Sequence, residues 1–208
     1  MTLAPSTARG IGLLSGLATA LVAGALDAAL MLQAIAGPDD RDLLSLASAP
    51  DKYLDRLNDG IKGLKVAYSP DLGYLQVDRD VAERVRTAAS AFEQLGCQVE
   101  EIKTGWDNPI AMEHCIFATH MTAMYGDFLD QWEGKMDPGL VAIIRHGKRY
   151  SGEQYCKAAA ERILFYDKVR TLFERYDLLL TPTLSVAAFP AERLIPSHWE
   201  QHDWDWLR

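Results

Sequence analysis

Cysteine is scarce in this chain of 208 residues, and what there is follows no ligand or redox spacing. Cys97, Cys115 and Cys156 are odd in number and form no CxxC pair, which excludes a disulfide scaffold and a zinc ribbon. They read as reduced thiols of a cytosolic protein, packed or inert rather than catalytic. Positive charge is also short. Lys and Arg number 21 against 29 Asp and Glu, a net charge of −8 with a pI near 5.1. Such a chain lacks the basic surface that neutralises phosphates, so no nucleic acid is expected among its partners. Missing too are a GxSxG nucleophile elbow, a Gly-rich phosphate loop and an HExxH zinc helix, and no pattern calls for a cofactor. Ordinary levels of Gly (15) and Pro (9) exclude collagen-like and low-complexity chains. What is present is a globular make-up, 49% apolar and 24% charged, long enough to bury a core.

The N terminus is unusually apolar. Gly10 to Leu26 carries no charge, and after Asp27 the apolar run resumes from Ala28 to Leu32. Asp27 would fall in the last third of a span of about 20 residues, so no stable membrane span is expected. Two readings stand. Arg9, the apolar stretch Ile11–Val22 and the small residues Ala23-Gly24-Ala25 fit a signal peptide, which would mean export. Alternatively, residues 25–36 form a buried helix with Leu26, Ala29, Leu30 and Ala34 on one face, stopped at Gly37-Pro38, in a cytoplasmic protein.

From Gly63 the pattern is that of a βαβ unit. Leu64, Val66 and Tyr68 alternate with Lys65 and Ala67 in a short strand that Ser69-Pro70 ends. Asp80 and Glu83 are spaced as a capping box, and Val81, Val85, Ala88, Ala89, Phe92 and Leu95 fall on one helical stripe closed by Gly96. Gln98–Ile102 forms the second strand. A strand, helix and strand of this length make a parallel pair with a right-handed crossover.

The second half is mainly helical. Pro109 to Trp132 reads as one long helix carrying His114, Cys115, His120, Met121 and Tyr125. Asp137-Pro138 opens another, ended by Gly147. Ser151 and Gln154 are spaced as a capping box for a helix running to Tyr176, its buried stripe being Tyr155, Ala159, Ile163, Tyr166, Val169, Phe173 and Tyr176. Asp177–Thr181 is a strand too apolar for a solvated face, hence central. Trp199, Trp204 and Trp206 crowd the end of the chain, where exposed aromatics ask for a covering partner.

Little of this is chemistry. His198 and His202, with Asp203 and Asp205, would share a helix face as metal ligands, but without a helix signal they read as a solvated tail. His114 and His120 are six residues apart and so lie well apart around their helix axis, as core or pocket-wall residues. Ser69 and Ser151 sit where turn and cap chemistry accounts for them.

Three segments together resemble the amidase signature family. They are Leu26–Asp42 (LDAALMLQAIAGPDDRD), Gly63–Tyr74 (GLKVAYSPDLGY) with its βαβ continuation, and Met136–Ala142 (MDPGLVA) continuing to Phe173–Thr183 (FERYDLLLTPT). The resemblance covers roughly residues 25–190. It implies an α/β fold, here a partial mixed sheet of about three strands covered by helices, and hydrolysis of carboxylic amide C–N bonds by a Ser-Ser-Lys triad. In that triad a neutral Lys takes the proton of a bridging Ser, which activates the nucleophilic Ser, while backbone N–H groups of a Gly/Ser-rich loop hold the oxyanion. In such enzymes the triad lies upstream of the helix that residues 25–36 resemble. This chain has no Gly-Gly-Ser-Ser-Gly-Gly-like loop and no Lys before Lys52. No catalytic residue carries over, and inactivity of the chain alone is expected.

The resemblance divides the chain into an atypical apolar segment 1–24, a partial amidase domain 25–190 and a Trp-rich tail 191–208, and it implies truncation on both sides. It further implies that His120, Met121 and Tyr125 form a wall of the substrate pocket, with a small-molecule amide as partner. Members that amidate tRNA carry Arg on the helix after the Met-Asp-Pro-like turn, near Ala142 and Ile143 here. Neither can clamp a carboxylate, so a neutral aryl or alkyl amide fits better. Two alternatives stay open: a non-catalytic interaction fragment that associates with itself through exposed core surface, and a piece of a tRNA-dependent amidotransferase.

Overall fold

The computed structural model describes Gly24 and residues 26–42, 44–46, 52–193 and 196–199. Most of the signal-peptide stretch lies outside the described residues, as do His202, Asp203, Trp204, Asp205 and Trp206. The chain forms two compact units, one of them containing Ala88–Glu101 and Phe173–Leu180, the other Ser69–Thr87 and Ile102–Leu172.

The first unit is built on a parallel three-stranded sheet in the order β2-β1-β3, where β1 is Lys65–Tyr68, β2 is Gln98–Glu101 and β3 is Leu178–Leu180. Val66 pairs with Val99 on one side and with Leu178 on the other. Helix α1 (residues 26–35) precedes the sheet in the chain, and helix α2 (Arg79–Gln94) links β1 to β2 as the expected crossover. The centre belongs to β1, with Val66 and Ala67 fully buried and Tyr68 3% exposed. The expectation of a central Asp177–Thr181 strand is thereby corrected. The leucines of β3 are half-buried, because one side of that strand has no strand neighbour among the described residues. Asp177 sets the register: its N–H donates to the Lys65 carbonyl (2.8 Å), and its carboxylate accepts from the Lys65 N–H (2.9 Å).

The end of α2 follows from one glycine. Gly96 has φ +87°, and the N–H groups of Gly96 and Cys97 donate back to the carbonyls of Glu93 and Phe92 (2.9 and 3.0 Å), the Schellman pattern. Its start differs from the expected Asp80–Glu83 capping box. Ala82 N–H donates to the Asp78 carbonyl, so Asp78 stands at the cap and Asp80 lies within the first turn. Glu83 instead accepts from Arg79 Nε at 2.8 Å, one turn back.

The second unit is helical. Helix α3 spans Ile110–Tyr125 and stops seven residues short of the expected Trp132. Gly126–Phe128 forms a 3-10 turn, α4 is the short helix Leu129–Trp132, and Glu133–Lys135 makes a second 3-10 turn before Met136 extends. Helix α5 (Pro138–Gly147) begins as read, with Leu140 N–H donating to the Asp137 carboxylate at 3.1 Å. Helix α6 (Gly152–Leu172) has the expected box. Ser151 Oγ accepts from Gln154 N–H (3.2 Å), and Gln154 Oε1 accepts from Ser151 N–H (2.9 Å).

The face of α6 needs correction, and so does its end at Leu172 rather than Tyr176. Ala158 is buried, whereas Ile163 is 64% exposed. At about 100° per residue, Ile163 stands roughly 80° round from Tyr155, off the edge of the packed face. Two apolar clusters bind the unit. Met112, Cys115, Ile116 and Ala158 join α3 to α6, and Leu129, Val141 and Ile144 join α4 to α5 with Met121 and Tyr125 of α3 packed against them. Helices α3 and α5 approach closely at Gly147, where a Cβ would lie 2.1 Å from the Ala118 carbonyl oxygen and from Thr122 Oγ1. Among the described residues, no helix is long and apolar enough to cross a membrane.

Candidate functional site

The last turns of α3 carry the three side chains expected to form a pocket wall, and they divide between two faces. His120 is exposed, with its Nε2 3.2 Å from the Tyr155 hydroxyl of α6. Met121 and Tyr125, four apart and so on one stripe, pack against Leu129, Val141 and Ile144. Tyr125 also lines a cavity of about 360 Å³ with Phe128, Trp132, Lys135 and Met136. Phe128 and Trp132 are half-exposed there, at 51% and 47%, and Lys135 Nζ lies 5.0 Å from the centre of the Trp132 ring, a cation–π contact.

Four of those cavity residues (Phe128, Trp132, Lys135 and Met136) were not assigned to a pocket from the sequence. Phe128 and Trp132 fall three and seven positions after Tyr125, on one helical stripe, whereas Lys135 and Met136 lie beyond a helix that ends at Trp132. Past the break at Gly126, Lys135 and Met136 complete the lining. Glycine directly after the last α3 residue was the available signal.

No candidate nucleophile is activated among the described residues. Ser69 is fully buried in the turn after β1, its Oγ accepting the Leu72 N–H at 3.1 Å. That turn is strained: Leu72 has φ +54°, and its carbonyl accepts from Thr104 Oγ1 at 2.5 Å. Ser151 is engaged as the α6 cap. Cys97 is buried with Sγ 3.2 Å from the Ile61 carbonyl. Burial pushes the Cys115 thiol up, opposite to what a reactive thiolate needs.

The histidine of the proposed tail pair has another task. His198 Nε2 lies 3.0 Å from both carboxylate oxygens of Asp78, and Trp199 Nε1 donates to Asp78 at 2.9 Å. These bonds hold the Asp78 carboxyl below its ordinary range. Among the described residues, no group of three His, Cys, Asp or Glu side chains is placed to hold a metal ion.

The Arg positions are equally informative. Ile143 is fully buried and Ala142 partly so. The nearby Arg145 is committed to Glu133, its Nη2 2.6 Å from Oε1.

The parallel βαβ sheet of one unit and the helices of the other make this an α/β protein. The chain belongs to the amidase signature family: the family model Amidase matches residues 15–204. It is 38% identical over 175 residues to an acylamidase of Rhodococcus erythropolis, covering 82% of this chain and 36% of that protein. It is 29% identical over 190 residues to a glutamyl-tRNA(Gln) amidotransferase chain of Chromobacterium violaceum, covering 78% of this chain and 39% of that protein. Among solved structures, it resembles a bacterial aryl acylamidase belonging to the amidase signature enzymes, with a TM-score of 0.69 and 25% identity, over 77% of this chain and 35% of that one. The chain thus spans little more than a third of the length of the relatives it matches.

Proposed function

We propose that this chain supplies the substrate-binding wall of an amide hydrolase acting on neutral aryl or alkyl amides, and that it does not turn over amides by itself. The observation that carries the substrate class is the cavity of Tyr125, Phe128, Trp132 and Met136, which offers aromatic and thioether surface. Such surface suits the apolar part of an anilide or alkyl amide. The similarity to an acylamidase and to an aryl acylamidase supports the same class. An amidotransferase-type substrate is disfavoured because the resemblance aligns the carboxylate-clamp Arg with Ala142 and Ile143, neither of which can hold a carboxylate, and Arg145 nearby pairs with Glu133. The absence of turnover rests on the sequence, since these 208 residues contain no Gly/Ser-rich oxyanion loop and no Lys before Lys52. Its free cysteines suit a cytosolic setting.

The test is hydrolysis by the purified chain of a panel of anilides, primary alkyl amides and glutamine. No release of amine or ammonia is expected from any of them. Turnover that survives Ser69→Ala and Ser151→Ala but vanishes on replacing another residue would overturn the claim that no active site is assembled here.

A second reading, self-association, is supported by exposed apolar side chains. On α1 Leu26 and Ile35 are 57% and 75% exposed, and on α6 Ile163 and Leu164 are 64% and 67% exposed. Light scattering on the eluted chain distinguishes a monomer, which speaks against it, from a defined oligomer.

A further inference from the structure

Helices α3 and α5 each bring a histidine to their contact. The rings of His114 and His146 lie with centroids 5.2 Å apart and planes 43° from each other, and both residues are half-buried. His146 Nε2 is 3.2 Å from the Tyr150 hydroxyl, and the Tyr150 ring meets it edge-on at 5.2 Å. Tyr150 in turn packs on the cluster of Met112, Cys115, Ile116 and Ala158. The proposed function leaves this group of side chains unused.

The surroundings accept neutral imidazoles and resist charged ones. Around the pair stand Arg149, just beyond α5, which acts on His146; Tyr150, whose hydroxyl meets His146; and Cys115 of α3, which acts on Tyr150 and is itself acted on by Glu161 of α6. Burial lowers the affinity of both rings for a proton; a charge on His146 lowers it further at His114, and Arg149 does the same at His146. His146 lies in the last turn of α5, where the helix dipole favours a cation, but burial and Arg149 outweigh it.

We propose that the His114–His146 pair is an acid-sensitive latch between α3 and α5, closed when both rings are neutral and loosened when either takes a proton. The sign follows from linkage. A ring whose folded affinity for protons is lowered leaves the unfolded chain with more bound protons near the ordinary value of 6.5. Stability is therefore full above that value and is lost as pH falls below it toward the folded value. Because α3 also carries Met121 and Tyr125, loosening the latch loosens the wall of the cavity. That consequence rests on the proposed function; the latch itself does not.

Denaturant unfolding of the full chain, followed by circular dichroism between about pH 7.5 and about pH 5.5, tests this against the double variant His114→Gln/His146→Gln. The unfolding midpoint of the unaltered chain is expected to fall about twice as far as that of the double variant or further. Equal falls in the two proteins would overturn the proposal. Should the variant not fold, proton NMR titration of the unaltered chain decides: both ring signals must titrate below 6.5, and a midpoint at or above that value for the pair refutes the latch. Neither readout depends on amide turnover, so failure of the latch and failure of the functional reading are distinguishable.

Discussion

Gly147 shows how spacing can place a residue while its role lies in a contact across the fold. Read from the sequence, it simply ends α5. Yet Gly147 is the last residue of the helix, it is absent from the positive-φ glycines, and its hydrogen faces the backbone of α3. It is needed for space. Gly147→Ala is expected to destabilise the chain by about 2 kcal/mol or more, since the clash is with the carbonyl of Ala118, which has little freedom to move. Urea unfolding measures it, and a loss below about 0.5 kcal/mol would show that α3 and α5 separate freely. Thr181 is expected to behave in the opposite way. Its Oγ1 is buried and makes no hydrogen bond among the described residues, so the hydroxyl is desolvated without return. Thr181→Val should leave stability unchanged or raise it, and a loss above about 1 kcal/mol would mean that the hydroxyl has a partner such as a buried water.

At the scale of elements, what could be read from the sequence was what depends on near neighbours. The Asp137 cap, the Ser151–Gln154 box and the Gly96 closure all join residues within five positions, and each stands where its spacing placed it. Contacts that decide a face or a boundary reach further. Asp177 fixes β3 against β1 across 112 residues. Asp78 draws in His198 and Trp199 across 120 and 121 residues, and none of this leaves a local pattern. Hence the cap of α2 stands at Asp78 rather than at the expected Asp80. The consequence is measurable: Asp78→Ala should lower the unfolding midpoint more than Asp80→Ala, because it removes the staple to His198 and Trp199. The reverse order would restore the capping box at Asp80. The Ile163 stripe and the long α3 erred for a related reason, since a helical period says which residues share a face but not where the partner stands or where a glycine lets the chain turn.

For the whole molecule, the family was legible from three ordered segments, and the family match extends across residues 15–204. The cavity was legible only in part, because Tyr125, Phe128 and Trp132 share one helical stripe, whereas Lys135 and Met136 join them only past the breaks at two 3-10 turns. Its wall joins Tyr125, which the resemblance did point to, with Phe128, Trp132 and Met136, which it did not. The central claim is that this wall receives the apolar part of a neutral amide while the chain performs no hydrolysis. The most direct measurement is tryptophan fluorescence of the purified chain titrated with an anilide such as acetanilide. The account predicts saturable quenching that disappears in Trp132→Phe, is lost in Met136→Lys, and is accompanied by no release of aniline. Quenching that persists unchanged in both variants, or aniline released by the unaltered chain, would contradict it.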